Sequence, residues 1–217
     1  MVQLVACIGG INLKFAVLLI LAYIIGSFPS GVVIGKLFYH KDIRQYGSGN
    51  IGTTNTYRVL GRVAGTVVLF CDILKGSLAA ALPIWFNFTP PHYLVLVFGL
   101  AAILGHSFSI FLKFKGGKAV ATSAGILLTY NPHFFIIAVA IFVTILCLSS
   151  MVSVASMLGM VLITLTSFYY HDWFLTLVAF ALTIFIFYRH RENIKRIRAH
   201  NENLVPFGWY YHHKKKE

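Results

Sequence analysis

The sequence predicts an all-α fold, a polytopic membrane helix bundle of about seven transmembrane helices. Three observations lead there. Of 217 residues, 58% are hydrophobic and only 11% charged, with a mean hydropathy of +0.79, a balance that ordinary soluble domains do not carry. The apolar residues fall in runs suited to crossing a hydrocarbon core of roughly 30 Å as helices. The 18 Lys and Arg, against 6 Asp and Glu, collect at the ends of those runs, as basic residues do in cytoplasmic loops. The net charge of +12 therefore reads first as topology, and secondly as attraction for anionic substrates or headgroups. A nucleic-acid partner is disfavoured, because the basic residues are tied to helix ends. Residues 1–217 read as one integral membrane domain with a short basic tail from about residue 189.

The first run extends from about Asn12 to Leu37, with Pro29 as a kink inside it. Lys14 interrupts its start and the run continues to Gly35, so it reads as a membrane helix rather than a secretory signal. HKDIRQY then leads into a polar, glycine-rich stretch, Gly47–Gly61. The second helix covers Arg62–Trp85 and carries Asp72 and Lys75 near its middle. At that spacing the two share a face and pair, which lowers the cost of placing either in a bilayer. A structural role for the pair outweighs a catalytic one.

NFTPPH, residues 87–92, turns the chain without Lys or Arg. The third helix covers Tyr93 to about Leu112, holds Gly105 and His106, and is followed by KFKGGK at 113–118. Ala119–Tyr130 is only about 18 Å long at 1.5 Å per residue. It is a short packed helix or a re-entrant segment, and the second choice would reduce the count to six. Asn131 and Pro132 break the chain before a fifth helix, His133–Leu148. Ser149 and Ser150 break it before a sixth, Met151–Tyr169, and YHDW turns it into a seventh, Phe174–Tyr188. Cys7, Cys71 and Cys147 are isolated, so no disulfide framework, metal site or cofactor is expected.

Seven crossings with a cytoplasmic C-terminus put the N-terminus outside. Segments 36–62, 113–118 and 189–217 then share the cytoplasmic side, with 5, 3 and 8 of the 18 Lys and Arg. Lys14 is left outside and Lys75 within the membrane.

GSGNIGTTNTYRVLG, Gly47–Gly61, lacks acidic residues and combines glycines, hydroxyls, amides and Arg58. Such a stretch can bring many donors to one anion. KFKGGK is a second basic, glycine-bearing loop. It is not a P-loop, because the GxxxxG frame and the following Ser or Thr are missing. Lys113 and Lys115 read as topological anchors, and Lys118, directly after the glycine pair, as a ligand. Two basic, glycine-bearing loops at one face suit the binding of phosphate at the mouth of the helix bundle. The alternative is a membrane carrier or channel for phosphate-bearing anions. That would want charged groups along a path, yet apart from Asp72 and Lys75 the polar groups gather at one face. For His106, interior packing and a site role stay equally open. His92, His133 and His171 sit at helix ends on the other face, and His212, His213 and Lys214–Lys216 read as a solvated tail.

GSGNIGTTNTYRVLG with DILKG, then GHSFSIFLKFKGGKAVATSAG, then RHRENIKRIRAHNE resembles the three-block signature of the bacterial membrane-integral acyl-phosphate:glycerol-3-phosphate acyltransferases. The resemblance runs from Ser27 to Glu202. It implies transfer of a fatty acyl group from a long-chain acyl phosphate to the 1-hydroxyl of glycerol 3-phosphate, giving lysophosphatidic acid, on the cytoplasmic side of the bacterial inner membrane. Related enzymes that use acyl-CoA or acyl carrier protein carry a histidine with aspartate five positions on, and no histidine here has that partner.

The resemblance assigns Ser48, Asn50, Thr54, Asn55, Arg58 and Arg62 to phosphate and glycerol contacts, and Gly116, Gly117 and Lys118 to a second cradle. It places His190 and Asn193 in the third block, with Arg191 and Glu202 nearby, and matches Ser150 and Ser153 to a serine-containing segment. His190, Asn193, Ser48 and Lys118 are the catalytic candidates. An acyl phosphate is a mixed anhydride, already activated, so aligning the hydroxyl and stabilising developing charge can supply much of the rate without a covalent intermediate. His190 either serves as general base or orients the hydroxyl while a phosphate oxygen takes the proton. The family pattern has glycine two residues before Glu202, where this chain has His200.

Overall fold

The computed structural model describes residues 2–88 and 92–214, with side chains from Leu13 onward. Thr89–Pro91 of the expected NFTPPH turn, the Cys7 side chain, and Lys215 and Lys216 lie outside the described residues. Every regular element among the described residues is helical. The chain forms two compact units, Met1–Tyr130 and Asn131–Glu217.

In the first unit, α1 (Val2–Ser27) and α2 (Ser30–Tyr39) replace the expected single kinked helix with a break of 44°. Pro29 has no N–H to continue the ladder, and the carbonyls around it need other donors. Ser109 Oγ donates to Ser27 O at 2.6 Å, and Lys75 Nζ donates to Phe28 O at 2.9 Å. α3 (Thr53–Leu60) lies within the glycine-rich stretch and was not expected, because its polar residues carry no membrane-length apolar run. α4 (Arg62–Trp85) matches its expected limits. α5 (Tyr93–Ser107) stops short of Leu112, and a 3-10 turn at Ile110–Leu112 completes the segment. α6 (Val120–Tyr130) is the short helix anticipated after KFKGGK.

α4 packs against α1, α3, α5 and α6. Gly76 on α4 and Gly125 on α6 permit backbone contact: a Cβ on the first would overlap Thr122 O, and one on the second Ile73 O. Small residues at such crossings are a usual basis of helix association in lipid. The core contains Leu18, Ala22, Ala79, Phe98 and Ala102, with Phe15 edge-on to Phe98 at 5.3 Å. Lys14 Nζ donates to Phe86 O at 2.7 Å.

The second unit comprises α7 (Pro132–Ser149), α8 (Val152–Ser167), α9 (Trp173–Arg189), α10 (Arg191–Arg198) and α11 (Trp209–Lys214). Asn131 caps α7 by accepting from Phe134 N, and Asp172 caps α9 by accepting from Leu175 N, both at 2.9 Å. Each such cap contributes about 1 kcal/mol. Thr164 Oγ1 and Thr183 Oγ1, 2.9 Å apart, join α8 to α9. α10 and α11 are short and polar, and the sequence reading treated both as tail. His213 stacks on Trp209 with centroids 5.2 Å apart. Cys71 and Cys147 are free thiols.

Four helical segments are long and apolar enough to cross a membrane, and counting each bent pair as one span raises the number to six. The pairs are 13–39 and 173–198. All seven expected apolar segments are helical, but α6 is too short to be counted as a span by length alone.

Candidate active site

The glycine-rich loop of the first unit is built around a side chain that faces inward. Asn55, 1% exposed, donates from Nδ2 to Ile43 O at 2.9 Å, Tyr46 O at 3.2 Å and Asn50 O at 2.9 Å. Its Oδ1 accepts from Ser48 N at 2.9 Å. Gly47 at φ 60° and Gly49 at φ 68° take the left-handed turns that wrap the backbone around it. Asn50 Oδ1 accepts from Gly52 N at 3.0 Å, and Thr56 Oγ1 donates to Gly52 O at 3.1 Å. Asp42 starts the loop by accepting from Arg44 N at 3.1 Å and Arg44 Nε at 2.9 Å. The Arg44 guanidinium holds the Asp42 carboxyl well below the usual carboxylate range.

Ser48, Arg58 and Arg62 are exposed, and Thr54 is half-buried. The first turn of α3 carries backbone N–H groups that no earlier turn can satisfy, a natural anion seat. Thr53 Oγ1, buried in that turn, has no hydrogen-bond partner among the described residues. Sequence reasoning passed over Thr53, although a hydroxyl at the first position of a helix behind glycine was the available signal.

KFKGGK follows the 3-10 turn at Ile110–Leu112. Leu112 belongs to the same apolar cluster as Val32, Ile43 and Ile51, so the two loops share a foundation. Lys113 and Phe114 take left-handed conformations at φ 52° and 59°. The glycine amides turn back into the fold: Gly116 N donates to Ser107 O at 3.1 Å and Gly117 N to His106 O at 3.0 Å. A Cβ on Gly116 would overlap His106 O, and one on Gly117 would overlap His106 Nε2. Lys118 is half-buried and is followed by Ala119 at φ 59° and then α6. Ser107 Oγ, Thr122 Oγ1 and Ser123 Oγ, beside this loop in sequence, are buried without a hydrogen-bond partner among the described residues. Unsatisfied groups at such density are rare in native folds away from functional sites.

Behind the loop lies a buried polar cluster. Lys75 Nζ is 2.7 Å from Asp72 Oδ1, which also accepts from Ser30 Oγ at 3.0 Å. His106 Nδ1 is 3.9 Å from the same oxygen.

In the second unit, α9 and α10 meet at a bend of 60°, with His190 at the corner. His190 is 3% exposed, and its Nδ1 is 2.9 Å from Ile186 O. A carbonyl only accepts, so Nδ1 carries the hydrogen and Nε2 is the basic nitrogen of the neutral ring. One turn on, Asn193 Nδ2 donates to Glu202 Oε1 at 2.7 Å. The same oxygen accepts from Ser153 Oγ at 2.9 Å, and Glu202 Oε2 accepts from Arg196 Nε at 2.8 Å. His200 adopts φ 55°, the left-handed conformation that glycine takes without strain. A single residue can tolerate it, and Glu202 reaches its partners regardless.

The sequence profile described as glycerol-3-phosphate acyltransferase matches residues 16–200. The chain belongs to this family. The glycerol-3-phosphate acyltransferase of Latilactobacillus sakei is 62% identical over 205 residues, covering 94% of this chain and 99% of the relative. That of Enterococcus faecalis is 56% identical over 206 residues, 90% and 94% of the two chains. The crystal structure of PlsY, an integral membrane glycerol 3-phosphate acyltransferase in its glycerol 3-phosphate form, is 34% identical with a TM-score of 0.81, covering 88% of this chain and 96% of that one. The lysophosphatidic acid form gives a TM-score of 0.78.

For this member of the family, three site expectations change. Asn55 organises the loop, because its Nδ2 hydrogens already face three carbonyls and none is left for a phosphate oxygen. Gly116 and Gly117 offer closeness rather than donors, since both amides are tied to the end of α5. Ser150, in the left-handed conformation at φ 56°, holds the C-terminal segment: its Oγ accepts from Tyr211 N at 3.0 Å, and its carbonyl from Val205 N at 2.8 Å. Ser153, Asn193 and Glu202 do come together as one cluster, with Arg196 an unexpected member.

Proposed function

We propose that the protein transfers a fatty acyl group from acyl phosphate to the 1-hydroxyl of glycerol 3-phosphate, releasing lysophosphatidic acid and phosphate. Membership of the family over residues 16–200 supports the acceptor and the product. The observation that carries the chemistry is the fixed His190 ring, with Nδ1 committed to Ile186 O and Nε2 as its basic nitrogen.

In this reading the glycerol oxygen attacks the acyl carbonyl carbon, the bond from that carbon to the phosphate oxygen breaks, and phosphate leaves with its electron pair. The hydroxyl proton passes to His190 Nε2, or to a phosphate oxygen while His190 orients the hydroxyl. Asn193, held by Glu202, positions the acceptor. Arg58, Arg62, Ser48 and the first turn of α3 neutralise one phosphate. Lys118, with the hydroxyls of α6 as hydrogen-bond donors, holds the other, and whichever set holds the leaving phosphate stabilises the charge that grows there as it departs. Thr54 and Asn50 line the same loop, and Ser153 supports the acceptor site through Glu202.

The chain acts as one catalytic domain in the bacterial inner membrane, crossing seven times with its N-terminus outside. The crowding of Lys and Arg into segments 36–62, 113–118 and 189–217 supports an active site open to the cytoplasm.

The test is direct. Purified protein in detergent or lipid mesophase receives glycerol 3-phosphate with either acyl phosphate or acyl-CoA, and lysophosphatidic acid and phosphate are followed. Product is expected with acyl phosphate alone. Product from acyl-CoA alone, or from neither donor, overturns the reading.

A further inference from the structure

We infer that His106 is a positioning residue for Lys118, wedged between the buried Asp72–Lys75 pair and the Gly116–Gly117 backbone. The inference rests on reading Lys118 as a phosphate ligand. At the α1–α2 break, Phe28 O accepts from Lys75 Nζ at 2.9 Å, and Lys75 pairs with Asp72 Oδ1 at 2.7 Å. Ser30 Oγ donates to that oxygen at 3.0 Å, and His106 Nδ1 lies 3.9 Å from it. The opposite edge of the ring, at Nε2, fills the space where a Cβ of Gly117 would stand, while His106 O receives the Gly117 amide at 3.0 Å.

Ser30, Asp72, Lys75 and His106 are at most 5% exposed. A charged pair this deep persists only with its hydrogen-bonding capacity met, and so has one arrangement rather than many. The His106 ring therefore stands against a rigid cluster, 3.9 Å from Asp72 Oδ1 and not hydrogen-bonded to that oxygen, and bears on the loop in front. Lys118 follows Gly117 directly, and the left-handed Ala119 then leads into α6. The backbone position at Gly117 thus sets where the ammonium group can reach. A merely space-filling histidine would affect stability, with no preference for one substrate.

The experiment uses the full-length protein in detergent. Values of kcat, of KM for each substrate, and of Tm are measured for Lys118→Ala, His106→Ala, Gly117→Ala and the double variant His106→Ala/Gly117→Ala. Lys118→Ala identifies the substrate whose phosphate it holds by raising that KM about tenfold or more. His106→Ala is expected to raise the same KM roughly three- to tenfold, with kcat within about threefold and the other KM unchanged. Gly117→Ala shifts the same KM. The double variant falls well short of the product of the single effects, because the ring that the new Cβ strikes is gone.

If His106→Ala does not fold, His106→Gln, which also lacks the ring against Gly117, carries the same expectation. An unchanged KM at position 106, a parallel change in both KM values that tracks Tm, or fully multiplicative single effects overturns the inference. If Lys118→Ala leaves both KM values unchanged, the ligand reading of Lys118 itself fails, whatever the His106 variants do.

Discussion

Asn193 Nδ2 donates to Glu202 Oε1 at 2.7 Å, and that carboxylate is shared with Ser153 and Arg196. One acidic side chain thus orients three donors from two helices, Ser153 on α8 and Asn193 and Arg196 on α10. Glu202→Gln keeps the shape but sets an amide group where a carboxylate accepted three hydrogen bonds. Hydrogen bonds to charged groups contribute about 1.5–3 kcal/mol each. We expect kcat to fall by about tenfold or more with a modest change in KM, measured by steady-state assay. Glu202→Asp, which keeps the charge, should retain more activity than Glu202→Gln, and the reverse order would remove Glu202 as the organiser.

Asn55 is engaged by four backbone groups of its own loop. Asn55→Ala would leave Ser48 N–H and three carbonyls without this partner, at about 1–3 kcal/mol for each group that stays buried. The expected result is loss of activity together with a lowered Tm in detergent. An unchanged Tm with a raised KM would return Asn55 to the role of substrate contact.

Lys115 is exposed, while Lys118 is half-buried beyond the glycine pair. Lys118→Ala and Arg58→Ala should each raise the KM of a phosphate substrate by about tenfold or more, and Lys115→Ala by less than about twofold. Equal effects at all three positions would reduce KFKGGK to a topological anchor.

Asp42 titrates below its ordinary value because Arg44 hydrogen-bonds and attracts its charged form. A carboxyl depressed in the folded state contributes stability that is present above its unfolded pKa and lost as pH falls through the lower folded value. The contribution should therefore be constant above about pH 5, where the unfolded carboxyl is also almost fully ionised. Asp42→Asn removes it and weakens the cap on the 3-10 turn. The difference in Tm between wild type and Asp42→Asn should be flat from about pH 5 to pH 8, and a difference that vanishes toward pH 8 would contradict the assignment.

Much of the fold was legible because long apolar runs leave a membrane protein little choice. α4 and α7–α9 lie within a residue or two of the limits read from the sequence, and Asn131 and Pro132 act as the expected start of α7. α3, α10 and α11 were missed, since short polar helices carry no membrane-length signal. Pro29 was read as a kink and is a break, because distant donors from Ser109 and Lys75 satisfy the carbonyls that a continuous helix would have kept for itself. Within the site, the third block was read as placing Glu202 near Asn193, and the two are hydrogen-bonded; Ser153, matched to a separate serine-containing segment, joins them on the same carboxylate. Asn55, Gly116, Gly117 and Ser150 were read as ligands, yet the structure uses them to hold backbone.

The sequence by itself determined the membrane class, the order of the helices and the family, because hydrophobic run length, basic loop ends and motif order are properties of the chain read along its length. Only the tertiary structure decided which polar groups are turned into the fold and engaged there. Asn55 could point either way until its loop closed around it. Asp72, Lys75 and His106 come together because α4 and α5 pack side by side, a meeting that no spacing along the chain encodes.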